Sequence, residues 1–306
     1  MSKTEFIKRS HDSFGASAFT TTSTAGYAVN PAIWDTTLRE YQTKTLVYTA
    51  AGTTQYDFRK PGRSLTITID GAPTAAADLV ETNAVAVQAM SNRAVTFTPT
   101  EKGVAFEVSK NELEDAFFPV MENMTKKVGY ALAQKKDAVG VAAAIAGATT
   151  NYTADNVVSS NIASSNTLKL SDFTKAVRAI KNLYYTPTEA FICPSQEEQI
   201  LNITQVQKAN EFGTRSAIEN GLIGQLFGVK IYVTHSIAVS ANKAKMIVQG
   251  TTGSGEKAVG YGVKRDPTVE LEEAKSFRLY RVIGTERYDF QVLHPDAIVT
   301  VESYAA

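Results

Sequence analysis

The run from Val120 to Ala146 constrains this chain more than any other. Met121, Met124, Val128, Leu132, Val139, Ala142 and Ala146 follow three- and four-residue spacing, while Lys126, Lys127, Lys135 and Lys136 fall on other faces. That is the pattern of an amphipathic helix, and at 1.5 Å per residue it spans about 40 Å. Such a helix holds only if a sheet or other helices lie along its apolar stripe. Gly129 and Gly140 each cost about 1 kcal/mol against alanine inside a helix, so either they mark close approaches or they weaken it. Just upstream, Ser109-Lys110-Asn111-Glu112 reads as a capping box opening a shorter helix that stops near Pro119.

Strands precede these helices. Ser64 to Ile69, Ala94 to Thr98 and Val104 to Val108 alternate polar and apolar residues and are rich in β-branched side chains. The first two bound a long excursion with little interior of its own. A two-stranded hairpin alone is marginal in water, so it rests either on its own domain or on a neighbouring molecule. Further upstream, Ser13 to Trp34 carries no charge and no apolar periodicity. It reads as an extended arm that either dangles or lies along another surface. Asn30 and Pro31 suit the start of a short helix, and this helix holds Trp34, the single tryptophan, so it should be docked.

After the long helix, Gly147 to Thr167 is rich in Ala, Thr, Asn and Ser with one charge, Asp155, and reads as a surface crossing. Ser171 then caps a helix with Phe173, Val177, Ile180 and Tyr184 on one face. A strand at Ala190 to Ile192, a capping box at Ser195 and Glu198, and strands at Val229 to Val233 and Lys245 to Val248 follow. This alternation predicts an α/β module over about 168–250. Beyond the Gly-rich Thr251 to Lys257, strands are expected at Thr268 to Leu271, Phe277 to Val282, Tyr288 to Leu293 and Ile298 to Val301. They need a helix to cover them, and the long helix is the available one, which makes the first domain discontinuous.

No catalytic or cofactor site emerges. Gly250 to Lys257 has the glycine spacing of a phosphate loop, but Glu256 follows the last glycine where a lysine is needed. His11, His235 and His294 stand in unrelated contexts, and Cys193 sits alone in an apolar run, so neither a zinc site nor a triad has its ligands. Glu197-Glu198 and Glu272-Glu273 are neighbours whose side chains point apart. Lys plus Arg equals Asp plus Glu, 31 against 31, which argues against a chain whose main task is gripping nucleic acid. No secretory signal is expected, because Lys3, Glu5, Lys8, Arg9 and Asp12 break any apolar run, and no stretch approaches the ~20 apolar residues of a membrane span.

The order of these pieces resembles the major capsid proteins of tailed bacterial and archaeal viruses, the Hong Kong 97-like fold shared with encapsulins. Local features that carry the likeness are Asn30 to Trp34, Lys60-Pro61-Gly62 before an alternating strand, Ser109 to Ala116, Gly221 to Val229 and His294 to Val299. The resemblance implies an α+β fold. Its parts are an N-terminal arm (1–50), an extended E-loop (51–108), a discontinuous P-domain (109–150 and 256–306, spine helix about 120–146) and an α/β A-domain (151–255). It also implies a non-enzymatic shell subunit forming pentamers and hexamers around double-stranded DNA, assembled in the host cytoplasm and located in the virion. Portal, scaffolding and decoration proteins are the further partners it implies, with no cofactor and no membrane. The alternatives are an encapsulin-like compartment and a phage tail structural protein. Two family features are missing here: a long helical N-terminal region, and an identifiable Lys-Asn cross-linking pair with an activating acid.

Specific contacts follow from this reading. Arg59, Lys60 and Arg63 at the E-loop base are expected to pair with Glu112, Glu114 or Asp115 of an adjacent subunit, and Trp34 to lie at a subunit interface. Each exposed pair contributes only about 0.2–1 kcal/mol, so register is the expected role. Lys126, Lys127, Lys135 and Lys136 are expected either to face packaged DNA or to form a solvated helix face.

Overall fold

The computed structural model describes residues 46–59, 61–71, 92–116, 120–203 and 224–305. The expected arm helix with Trp34, most of the preceding arm, and Lys60 lie outside these residues. In chain order the elements are α1 (Tyr48–Ala51), β1 (Thr53–Asp57), β2 (Leu65–Asp70), β3 (Asn92–Phe97), β4 (Thr100–Ser109), α2 (Lys110–Asp115) and α3 (Val120–Gly147). Then come β5 (Thr150–Thr153), α4 (Leu170–Asn182), β6 (Thr186–Ile192), α5 (Pro194–Leu201), β7 (Gln225–Leu226), β8 (Val229–Val233) and β9 (Lys243–Thr251). β10 (Val259–Ala274), β11 (Leu279–Val292) and β12 (Ile298–Tyr304) complete the chain. Among the described residues two units form: a smaller one of 102–133 and 267–286, and a larger one of 46–101, 134–266 and 287–305.

The larger unit is built on a six-stranded sheet in the order β5-β12-β9-β6-β8-β7. Its central strand β9 buries Met246, Ile247, Val248 and Gln249 in succession, as a strand covered on both faces must. On one side α4 supplies Phe173, Ala176, Val177 and Ile180 against Ala190, Ile192, Met246, Val248, Val299 and Val301. On the other, Tyr48 of α1 and Val141 and Ala144 of α3 pack with Phe191, Ile247 and Ile298.

Three expectations change here. The polar stretch 147–167 is not only a crossing: β5 pairs parallel with β12, Thr150 opposite Val299. Its half-exposed position at the sheet's edge tolerates Thr and Asn, so no apolar run marks it. The last strand, assigned with the P-domain segment 256–306, lies in the α/β sheet antiparallel to β9, Ile298 opposite Gln249. Ile298, Val299 and Val301 are fully buried, and only a sheet covered on both faces accommodates consecutive apolar residues. The helix caps also differ. α4 is capped at Lys169, whose N–H donates to Asp172 at 3.3 Å. α5 starts after Cys193, whose N–H donates to Gln196 Oε1 at 3.3 Å, so neither Ser171 nor Ser195 with Glu198 is the cap.

The three expected short strands between Thr268 and Leu293 are two long ones, β10 and β11, in a four-stranded sheet ordered β1-β10-β11-β4. β1 runs parallel to β10 from Thr53–Val259 to Asp57–Val263. In the smaller unit, Val128 and Leu132 of α3 pack on Val282 with Val104 and Phe106. Towards its end the buried stripe of α3 runs through Val141 and Ala144, while Ala142 and Ala146 are exposed. The two helix glycines separate. A Cβ on Gly140 would meet the Tyr48 ring at 2.9 Å and Phe290 at 3.1 Å, whereas one on Gly129 would meet nothing within 4 Å.

Candidate assembly surface

The strictly alternating strands β2 and β3 form a separate two-stranded antiparallel hairpin, from Leu65 opposite Phe97 to Asp70 opposite Asn92. Alternation leaves it one apolar face, and that face is only partly covered. There Val95 and Phe97 are buried with Phe58 and Leu293, and Phe58 meets Phe97 edge-on at 5.1 Å. On β2, Ile67 and Ile69 are half-buried against this cluster, while Leu65, opposite Phe97, retains 41% of its surface. Arg93 donates to the Val292 carbonyl at 3.0 Å, beside an open cavity of about 430 Å³ lined by Val95, Ala143, Ala146 and Val292.

The turn before this hairpin carries the expected basic residues. Arg59 is bound within its own chain, its guanidinium forking onto both Asp266 oxygens at 2.8 and 2.7 Å, and this carboxylate pushes its pKa upward. Arg63 is exposed and takes no ion pair among the described residues. Lys264 Nζ donates to the Gly62 carbonyl at 3.0 Å, so the backbone beside Arg63 is tied down while its side chain points free.

Polar clamps hold the chain where it enters the hairpin. Asp137, 1% exposed in the apolar stripe of α3, accepts from Thr49 N–H at 2.8 Å and Thr49 Oγ1 at 3.1 Å. It accepts as well from Thr234 Oγ1 at 3.3 Å and Ser236 Oγ at 3.1 Å. Gln249 donates to the Tyr48 hydroxyl at 2.5 Å, and burial pushes the Tyr48 pKa far up. Lys257 pairs with Glu189 at 2.5 Å and donates to the Ala51 carbonyl. Sequence reasoning missed these clamps. The available signal was an aspartate four residues before Val141 on an otherwise apolar stripe, since a buried charge requires partners.

In the smaller unit, Ser109 caps α2 by accepting from Glu112 N–H at 3.1 Å. Glu112 is half-buried and desolvation raises its pKa, an effect the Ser109 backbone opposes. Glu114 and Asp115 are exposed, with no ion pair among the described residues. Lys110 pairs with Glu273 at 2.6 Å, and Arg281 bridges Glu107 at 2.5 Å and Glu272 at 3.1 Å. The neighbouring carboxylates Glu272 and Glu273 thus point to different partners, as adjacent strand residues must.

The four helix lysines do not share one environment. Lys126 and Lys135 are exposed and Lys127 half-buried. Lys136 is 6% exposed, its ammonium 5.8 and 5.4 Å from the Tyr261 and Tyr288 ring centres. Its place in a DNA-facing set is therefore corrected: cation–π contact and burial of its stem hold it inside. The glycine-rich turn after β9 closes on itself through Gly255 N–H to the Thr252 carbonyl at 2.9 Å. Its Glu256 engages Tyr56 and, at 3.2 Å, His294. Cys193 is buried, and burial pushes its thiol up. Among the described residues no group of three His, Cys, Asp or Glu side chains could hold a metal ion.

A weakly covered hairpin, a 28-residue spine helix and a six-stranded α/β sheet define the Hong Kong 97-like class of shell-building subunits. Solved structures agree on this fold. The capsid of cyanophage P-SCSP1u matches with a TM-score of 0.65 at 15% identity, covering 83% of this chain and 86% of that one. The acid-stable capsid of Helicobacter pylori bacteriophage KHP30 gives 0.64 at 10% identity over 82% and 88%. A virus-like particle from Pyrococcus furiosus gives 0.53 at 18% identity over 86% and 95%. Comparison with curated proteins gives no match. The chain belongs to the phage capsid protein family, whose model matches residues 92–301. It is a structural subunit of a bacteriophage capsid, and its place is the virion.

Proposed function

We propose that this chain is the major capsid protein of a tailed phage, closing as pentamers and hexamers into an icosahedral shell around double-stranded DNA. The observation that carries this reading is the hairpin β2–β3, a sheet of two strands with outer faces left open. Two strands do not stabilise themselves, and heterologous contacts that close by rotation provide the missing cover on a neighbour. Each contact can be weak, because every subunit makes several at once. Arg63 is the hairpin-base cation available for the α2 carboxylates Glu112, Glu114 and Asp115 of an adjacent subunit, and Arg59 supports it through Asp266. Lys60 and Trp34 complete the proposed subunit contacts. Lys126, Lys127 and Lys135 are the helix lysines proposed to face DNA, and portal and scaffolding proteins are the proposed further partners.

Negative-stain microscopy of the purified protein tests this directly. Closed shells are expected, and a population of lone subunits at high concentration would refute the reading. Charge reversal Arg63→Glu should lower particle yield while leaving the subunit folded. A second reading, a cargo-holding compartment, is favoured by the likeness to the Pyrococcus furiosus virus-like particle. Nuclease-protected DNA inside purified particles supports the capsid, and a co-purifying protein cargo without DNA supports the compartment.

A further inference from the structure

The two legs of the β2–β3 hairpin are fastened by different physics. The returning leg is fixed to β11 largely by burial. Phe97 is fully buried and Val95 nearly so. Thr98 N–H donates to Asp289 Oδ2 at 2.8 Å, and Arg287 Nε donates to the Pro99 carbonyl at 3.0 Å. The outgoing leg has no such anchorage. Phe58 is buried, but Arg59 and residues 61–66 are all exposed. β1 pairs with β10 as far as Asp57 opposite Val263, and Phe58 N–H donates to the Val263 carbonyl at 2.8 Å. Just past that point, side chains of β10 catch the leg. Lys264 Nζ donates to the Gly62 carbonyl at 3.0 Å, and Arg59 Nη2 bonds both Asp266 oxygens at 2.8 and 2.7 Å. Lys264 and Asp266 stand two residues apart on a strand, so they share one face. Gly62, at φ +134°, takes a backbone conformation that other residues rarely adopt, which lets the chain turn from the β10 edge into the hairpin.

Such an asymmetry responds to salt. The Arg59 and Asp266 side chains are 52% and 59% exposed, and dissolved ions screen charge pairs of that kind. The packing of Phe97 and Val95 has no charge to screen. We propose that Arg59 on Asp266, with Lys264 on the Gly62 carbonyl, is a salt-sensitive latch on the outgoing leg. Closed, it pins that leg where the β1–β10 pairing ends and gives Arg63 and the start of β2 one direction. Screened, it releases them while the returning leg stays on β11. The device belongs to the single subunit and stands apart from the shell reading above.

Limited trypsin digestion of the dissociated subunit reads both legs at once, because Arg63 precedes β2 and Arg93 lies on β3. Between about 0.01 M and about 1 M salt the screening length falls from about 30 Å to about 3 Å. Cleavage after Arg63 should rise about two- to fivefold over that range, while cleavage after Arg93 stays level. Taking the ratio of the two cancels trypsin's own response to salt. Asp266→Asn should show the high ratio at every salt concentration, and Asp266→Glu, which keeps the charge, should retain the rise. Asp266 is exposed, so both variants should unfold as cooperatively as wild type. A wild-type ratio that does not move with salt overturns the latch, and that measurement decides even if a variant misfolds. A folded Asp266→Asn variant with the wild-type salt response overturns it as well.

Discussion

The six-stranded sheet and the β2–β3 hairpin use the same residue types and reach opposite outcomes. In the sheet, Ile247, Val248, Ile298 and Val299 are fully buried, with helices over both faces. In the hairpin, Leu65 keeps 41% of its surface, and of β3 only Val95 and Phe97 are buried. β-branched alternation forms a strand in either setting. What differs is whether other elements of the same chain cover it. Consecutive apolar residues demand two covers and obtain them internally; strict alternation demands one, and at Leu65 this chain provides it only in part. Few buried apolar contacts mean low local stability, the physical condition for an element that completes itself on a neighbour.

The largest expected effect comes from emptying the core of the sheet. Phe191 is fully buried, edge-on to Tyr48 at 4.7 Å and stacked on Tyr232 at 5.4 Å. Phe191→Ala should destabilise the dissociated subunit by about 3–5 kcal/mol. Ile67→Ala in the hairpin removes a half-exposed side chain and should cost about 1 kcal/mol or less in the same subunit, while lowering particle yield. Denaturant unfolding of both variants checks this. Equal losses would break the comparison, because the hairpin would then be as well covered as the sheet.

How far these differences can be read in the sequence depends on what each residue's environment demands. Hairpin, spine helix and α/β module were legible because period two, period 3.6 and strand–helix alternation are local signals. Membership of β12 in the α/β sheet was not, since strand partners are chosen at long range, Ile298 against Gln249. The edge strand β5 carries no periodic signal at all. The clamp at Asp137 was legible only as an anomaly. Charges misled where burial decided the outcome: Lys136 reads as solvated by type, yet two tyrosine rings enclose it.

Glycine substitutions sharpen the contrast between covered and open positions at moderate size. Gly140 faces Tyr48 and Phe290 at 2.9 and 3.1 Å from a hypothetical Cβ, and Gly129 faces open space. Gly140→Ala should cost about 1–3 kcal/mol through overpacking. Gly129→Ala should gain up to about 1 kcal/mol through helix propensity. Thermal melting of the two variants should shift in opposite directions; shifts of the same sign would mean that the helix and the sheet core do not meet at Gly140 as described.

The smallest expected effect is a pH slope at the sheet's buried ion pair. Glu189 is 8% exposed and bound to Lys257 at 2.5 Å. Burial raises its pKa above the ordinary 4.5, and the lysine only partly opposes this. The folded subunit therefore holds this proton more tightly than the unfolded chain. Stability contributed by the protonated form is complete below the ordinary carboxylate range and is lost as pH rises through the raised folded value. Glu189→Gln removes that loss. Variant and wild type should melt alike near pH 4, and the variant should gain by about 1 kcal/mol or less by pH 7. Asp155, whose pKa is lowered chiefly by its bond to Lys169, is the control of opposite sign, losing stability as pH falls. If Glu189→Gln instead falls further behind wild type as pH rises, the Lys257 pairing outweighs burial, and β6 is held at Glu189 by charge where its later residues Ala190 to Ile192 are held by apolar packing.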